Sequence, residues 1–451
     1  MSDPVTHSQP VLPSLWARFA LLYLLLYVLP WPLSMLPQLE PLLAPFHSLW
    51  RYSIGAVAKR LLHMPIELPA AWARAYGDSL ASYLCCLCAF LFSLGLAAIW
   101  TLLPRLDPPL RFRSAKVPAG IARWLRERRP RASDEAVQII LRYYLAAQMF
   151  EYGLGKVINI QFPRLGLERL TQPFGEASPM GLLWAFMGHS PAYTFFAGAA
   201  EVLGGLLLLS RRTALLGALI LVAVLTNVWM LNLCYDVPVK LHSGHLLLFS
   251  LGVVAPHGRR LVDCLFRQRN VASGEMSFRQ RHAKPWQLGL KLLLVSMMLC
   301  IPANDYWRRA KEQEKAFAAS PYVGVYTVEE FAHNGRVLAA AAIEPARWQR
   351  VTIGNYGLFT IRDSRDATLH FFVEPVPDQA AIKLFPFRDE EMAPDEAPCV
   401  LSVGRPEPSV LQLAGALRGT ELRVRLRKLP PPQYLLTQRG FRWVSEYPFN
   451  R

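Results

Sequence analysis

Charge is scarce in this chain, and acid is scarcer than base: 18% of its 451 residues are charged, with 33 Asp and Glu against 49 Lys and Arg. An ordinary soluble domain carries about a quarter charged residues. At 53% hydrophobic the chain also lies far from the low-hydrophobicity range of intrinsic disorder. A phosphate-binding loop, a dinucleotide fingerprint, a nucleophile elbow and a zinc motif are all absent, which removes the function classes those motifs carry. Cysteine is sparse. Cys85, Cys86 and Cys88 share one apolar run, where adjacent positions point different ways round a helix and are poorly placed to bridge. Cys399 stands alone in the C-terminal part, so no disulfide forms within it.

What is present is a basic excess of +16. Nucleic-acid binding and membrane topology both produce such an excess, and its distribution separates them. From Asp305 onward the chain holds 20 basic and 18 acidic residues, leaving 29 and 15 in the first part. The excess therefore sits in the greasiest region, where no polar nucleic-acid surface is visible. No nucleic-acid partner is expected, and the lipid bilayer is.

A helix crosses a bilayer with roughly 20 apolar residues. Seven runs qualify: Leu15 to Met35, Ser79 to Leu103, Ala136 to Ile160, Ala192 to Leu209, Ala214 to Leu233, Val239 to Val254 and Trp286 to Ile301. The sixth is short and starts with Lys240, His242 and His245. The first reads as an uncleaved signal anchor, ended or kinked by Pro30 and Pro32. Cytoplasmic loops collect Lys and Arg. Eighteen lie on one side, between Arg105 and Arg131, at Arg211 and Arg212, and between Arg259 and Lys284. The opposite loops hold seven, among them Arg51, Arg164 and Lys240. This predicts a bacterial-type inner-membrane protein with a cytoplasmic N-terminus and an extracytoplasmic C-terminal domain.

Ionisable residues at bilayer depth mark function or helix contact. The third run places Tyr144, Gln148, Tyr152 and Lys156 at four-residue spacing, with Glu151 two turns after Tyr144 and Gly155 allowing close approach. One reading is a protonatable pocket with Lys156 as base and Glu151 as partner. The other is a polar seam between helices, with Arg142 and Lys156 snorkelling to the interfaces. Glu201, among Gly198, Gly204 and Gly205, needs a partner, and Lys156 or Arg142 is the natural one. The end of the fifth run adds the richest polar cluster: Asn227, Asn232, Tyr235, Asp236, Lys240, His242 and His245. His242 and His245 with Asp236 or Glu201 would give a metal set, but three-residue His spacing is common and nothing else supports it, so no metal is expected. His245 is expected as a hydrogen-bonding residue at the mouth of the pocket.

Outside the runs, the aromatic loop Gln161 to Ser190 reads as an interfacial or re-entrant helix, and Phe46 to Met64 has similar character. From Tyr322 the period becomes two. Eight short strands are expected near 323–327, 348–353, 358–362, 368–373, 381–385, 400–403, 410–413 and 421–426. Turn signals at Asn334-Gly335, Asn355-Tyr356-Gly357 and Arg418-Gly419 separate several of them. An antiparallel barrel or sandwich follows, either with a lipocalin-like ligand cavity or closed and binding protein partners. The aromatic tail from Gly440 to Asn450 is expected to dock on the barrel or bundle.

Ala136 to Pro256 resembles the DoxX-like membrane proteins. The resemblance rests on Arg142, Gly153 and Lys156 in one helix, Glu201-x-x-Gly204-Gly205 in the next, and the phrase from Tyr235 to His245. The ending Arg439-Gly-Phe-x-Trp-x-x-Glu-Tyr-Pro-Phe-Asn-Arg451 looks like a long subgroup with a soluble tail. The resemblance implies a four-helix core and membrane redox work, as in a subunit of thiosulfate:quinone oxidoreductase. A more distant similarity, to membrane carboxylases with a quinol-like cofactor and a Lys base, touches Lys156.

The expected architecture is thus an α-helical multi-pass bundle of about seven transmembrane helices plus a C-terminal antiparallel β-barrel or sandwich. Its segments are 1–134, a DoxX-like core at 135–257, 258–304 with the last span, and 305–451. The expected site has Glu151, Lys156 and Glu201 as catalytic groups. Tyr144, Gln148, Tyr152, Asn227, Asn232, Tyr235, Asp236, Lys240 and His245 would bind a lipophilic, quinone-like substrate. The alternative is a non-enzymatic scaffold whose β-domain binds a protein or lipid.

Overall fold

A computed structural model describes residues 15–64, 77–106, 119–267, 285–319, 321–339, 347–376, 379–386, 398–430, 433–440, 442–444 and 446–447. The chain divides into two compact units, one of 1–157 with 195–305 and the other of 158–194 with 306–451.

The first unit is helical: α1 (Leu15–Val28), α2 (Glu40–Leu61), α3 (Leu80–Leu106), α4 (Ala119–Val157), α7 (Pro191–Leu208), α8 (Ala214–Cys234), α9 (Lys240–Val254), α10 (Gly258–Leu265) and α11 (Pro285–Ala319). The bounding residues of α7 and α11 run on into the second unit. Five stretches are long and apolar enough to cross a membrane: Leu15–Met35, Leu80–Leu102, Pro191–Leu208, Ala214–Cys234 and Pro285–Lys315. They establish a multi-pass membrane protein by length and composition. The other two expected spans are also helical. One is the C-terminal part of α4, which continues without a break from the basic segment. The other is α9, whose 15 residues reach only ~22 Å at 1.5 Å per residue. Much of both basic segments, at 107–118 and 268–284, lies outside the described residues.

Leu141, Leu145, Met149 and Phe150 of α4 pack with Leu24 and Tyr27 of α1, Leu221 and Leu225 of α8, and Leu246, Phe249 and Val253 of α9. α2 is apolar on one side for a reason of its own: Trp50, Ile54 and Ala58 pack on Leu84, Cys85, Cys88 and Ala89 of α3. Cys85 and Cys88 are thus packing residues that form no disulfide among the described residues.

The second unit joins α5 (Leu167–Thr171) and α6 (Pro179–His189) to nine strands: β1 (Gly324–His333), β2 (Arg336–Leu338), β3 (Trp348–Ile353), β4 (Leu358–Asp363), β5 (Thr368–Pro375), β6 (Ala381–Pro386), β7 (Cys399–Glu407), β8 (Val410–Leu417) and β9 (Thr420–Lys428). All pairs are antiparallel in the order β2-β1-β3-β4-β5-β6-β7-β8-β9, and β1 pairs back with β9. This is a closed barrel of β1 and β3 to β9, with β2 a short hairpin arm on β1. The turn signals have a backbone cause: Asn334 and Gly335 (φ 48° and 77°), and Arg418 and Gly419 (φ 51° and 75°), take the left-handed conformation that tight hairpins require.

Alternate residues point inward, and Tyr326, Phe331, Trp348, Phe359, Ile361, Phe371, Leu384 and Leu413 fill the interior. Eight strands enclose a space just wide enough for side chains, and among the described residues these side chains form the barrel's core. Closure also settles barrel against sandwich. α5 lies on the outer face of β3 and β4. Glu176, following α5, bonds the Arg362 guanidinium at 2.9 Å. α6 starts with the Ser178 hydroxyl accepting from the Gly181 amide at 3.0 Å. Its Trp184 meets Phe162 edge-on at 5.1 Å between ring centres, while Leu182 and Phe186 stay exposed. Trp443 and Tyr447 of the C-terminal tail are exposed as well.

A buried ion pair and two phenol–imidazole contacts

Glycines let α4 and α7 touch. A Cβ on Gly198 would lie 2.6 Å from the Gly153 carbonyl oxygen and 2.7 Å from the Lys156 Cβ. A Cβ on Gly153 would lie 2.7 Å from Val202. On Gly205 it would lie 2.9 Å from Phe150. Gly198, Glu201 and Gly205 recur at three and four residues and so share one face of α7. That contact brings the Lys156 ammonium, in the last turn of α4, against Glu201. Nζ donates to Oε1 at 3.0 Å and Oε2 at 2.8 Å, and both residues are buried. Nζ also lies 3.4 Å from the Tyr152 carbonyl oxygen and 5.9 Å from the Tyr152 ring centre.

Arg142 does not compete for Glu201. It is buried rather than snorkelling, and its Nε and Nη2 donate to the Leu208 carbonyl at 2.8 and 2.6 Å. Lys291 donates to the neighbouring Leu209 carbonyl at 2.9 Å. Two cations thus satisfy the carbonyl end of α7, where the helix dipole is negative.

The α4 face continues to a second cluster. Gln148, two turns before Lys156, meets His242 of α9, with Nε2 to Oε1 at 3.1 Å. The other His242 nitrogen, Nδ1, meets the Tyr27 hydroxyl at 3.2 Å. His245 has Nδ1 at 2.7 Å from the Leu241 carbonyl and Nε2 at 2.7 Å from the Tyr23 hydroxyl. The Tyr27 and His245 rings stack, 4.3 Å apart and 15° from parallel. Tyr152 lies beside His242 at 5.8 Å between ring centres. Tyr144 is buried edge-on to Trp31, at 5.7 Å. Asn232 of α8 donates to the Ser243 hydroxyl at 3.0 Å.

Asp78, ahead of α3, orients α9. Its carboxylate accepts from the Lys240 and Leu241 amides at 2.8 and 2.9 Å, capping the helix start. Lys240 pairs with Asp236 at 2.8 Å and lies 3.6 Å from Asp78.

Of the expected residues, the structure gathers Lys156, Glu201, Tyr144, Gln148, Tyr152, Asn232 and His245. Glu151 is exposed, away from the pair. Five residues before Lys156 is ~140° round a helix of 3.6 residues per turn, so two-turn spacing from Tyr144 does not bring it to the shared face. Asn227 is exposed, Asp236 is exposed on Lys240, and Tyr235 is half-buried. Gly153, two residues before Gly155, makes a close approach to α7. Tyr23, Tyr27 and Asp78 are additions that the sequence does not single out. Two phenols four residues apart in the first apolar run are the available signal, whereas Asp78 becomes informative only once α9 lies beside it. Among the described residues no three His, Cys, Asp or Glu form a metal-ligating group.

The chain is 32% identical over 148 residues to a protein of Bacillus subtilis (strain 168) described as uncharacterized protein YwoB, spanning 92% of that protein and 32% of this chain. No family model matches the chain. No solved structure matches it.

Proposed function

We propose, for a chain that belongs to the same family as YwoB of Bacillus subtilis, that the cluster around Lys156 and Glu201 handles a lipophilic, quinone-like substrate together with a proton. The observation that carries this is the buried pair itself, with one ammonium 2.8 and 3.0 Å from the two oxygens of one carboxylate. Proton transfer from Lys156 to Glu201 converts two charges into an amine and a carboxylic acid. The neutral amine is then a base, and the acid a donor, for a substrate that takes up or releases a proton. Such a role fits the DoxX-like reading of the four-helix core. The Lys and Arg count of the loops supports an inner-membrane setting with the N-terminus in the cytoplasm and the barrel outside.

The test is quinone binding and reduction by the purified protein and its Lys156→Met/Glu201→Gln double variant. Removing both charges together leaves no uncompensated buried ion, so the fold is expected to survive. Loss of binding is expected; binding unchanged from the parent overturns the reading.

A second reading, a membrane scaffold, is favoured by the packed barrel. Its interior is occupied by its own side chains, which leaves its outer surface for a protein or lipid partner. Under this reading a co-purifying partner disappears when residues after Asn304 are deleted, and its retention counts against the idea.

A further inference from the structure

We propose that Tyr23 and Tyr27 of α1 are positioning residues that hold His245 and His242 as neutral imidazoles with opposite protonated nitrogens, making the pair of histidines the proton-accepting end of the same cluster. The inference deepens the proton-linked reading above and takes its chemistry from hydrogen-bond accounting alone.

A backbone carbonyl only accepts, so the short contact from His245 Nδ1 to the Leu241 oxygen, 2.7 Å, requires a proton on Nδ1. Nε2 of that ring is then a bare acceptor, and the Tyr23 hydroxyl at 2.7 Å donates to it. At His242 the order reverses. The amide oxygen of Gln148 accepts, so Nε2 carries the proton, and Nδ1 accepts from the Tyr27 hydroxyl. Two buried imidazoles three residues apart on one helix therefore carry opposite tautomers, each set by a phenol from α1 and one fixed acceptor.

A phenol is the partner that permits such a ring to change charge. The hydroxyl donates to a bare nitrogen, and by rotating its proton away it can accept from a protonated one. An imidazole held this way keeps both of its ring nitrogens hydrogen-bonded whether it is neutral or protonated. Among the groups that face the two rings are Tyr23 and Tyr27 of α1, Gln148 and Tyr152 of α4, and Phe249 of α9. Lys156 joins the cluster through Tyr152.

The experiment is nitrogen-15 NMR of histidine-labelled full-length protein in lipid nanodiscs, for the parent, Tyr23→Phe and Tyr27→Phe. The expected parent spectrum shows His245 protonated at Nδ1 and His242 at Nε2. Loss of one hydroxyl shifts the signal of the unprotonated nitrogen it donated to, Nε2 of His245 or Nδ1 of His242, and leaves the other histidine unmoved. A parent with both histidines in the same tautomer overturns the assignment without recourse to any variant. Unchanged histidine signals in both phenylalanine variants overturn the positioning role. These readouts need no quinone, so they stand or fall apart from the substrate reading.

Discussion

Glu168 shows what a single carboxyl contributes when its surroundings are assembled from distant parts of the chain. It sits in α5 beside two glycines: a Cβ on Gly354, or one on Gly166, would overlap a Glu168 carboxylate oxygen. Among the described residues its Oε2 has no hydrogen-bond partner. Burial pushes its pKa up, opposed by its own backbone hydrogen bond and by Arg169. Burial also raises the nearby Tyr356 phenol, with Glu168 adding to the effect. A carboxyl whose folded pKa lies above its unfolded one binds its proton more tightly when folded. Its stabilising contribution is therefore complete below the ordinary value of 4.5 and is lost as pH rises through the raised value. Glu168→Gln is expected to raise stability at neutral pH and to flatten this part of the pH dependence, read as thermal unfolding of the full chain across mildly acidic to neutral pH. An unchanged pH slope would show that the carboxyl is solvated. No sequence reading could single out Glu168, because its burial depends on Gly354. Lys156 and Glu201 are legible for the opposite reason: a charge in an apolar run is anomalous whatever surrounds it.

Helices in this protein meet where side chains are missing. Gly198 faces a backbone oxygen and the Cβ of Lys156, neither of which can swing aside. A methyl group placed on Gly95 of α3 would meet nothing within 4 Å. Gly198→Ala must therefore separate α4 from α7 and stretch the Lys156–Glu201 contact, costing about 1–3 kcal/mol as an overpacked site. Gly95→Ala is expected to be neutral or to stabilise by about 0.5–1 kcal/mol through helix propensity. Detergent-melt midpoints of the two variants decide the point, and equal midpoints would remove Gly198 from the helix contact. The strands are legible at this scale because period-two alternation survives in a barrel whose interior is filled from every strand. All eight expected strands are present, with only the short β2 added. Helix faces are less legible. Four-residue spacing places Gln148 and Lys156 correctly, but the seven-residue step to Glu151 does not reach the shared face. α2 likewise looks surface-lying from its sequence because its packing partner, α3, begins beyond a long intervening segment.

Chain connectivity sets a parity for the whole molecule. Residues 158–194 and 306–451 form one compact unit, so the chain enters it after α4, leaves it before α7 and returns after α11. A folded body in water lies on one side of a bilayer, which requires an even number of crossings between residues 195 and 305. α7, α8 and α11 are each long and apolar enough to cross; three is odd, and the expectation is that α9 supplies the fourth. With 15 residues α9 reaches ~22 Å against a hydrocarbon core of ~30 Å. Local thinning and flanking polar residues absorb such a mismatch at fractions of a kcal/mol per Å, and Lys240 at one end with Arg259 and Arg260 just past the other are placed to do so. The consequence is measurable with membrane-impermeant maleimide on sealed vesicles of both orientations. In a background retaining only exposed Cys264 of α10, and in another carrying only Phe174→Cys from the exposed part of the second unit, labelling is expected from opposite sides. Labelling of both from one side would mean that α9 turns back within the bilayer. His242 and His245 would then line a re-entrant segment rather than a crossing helix.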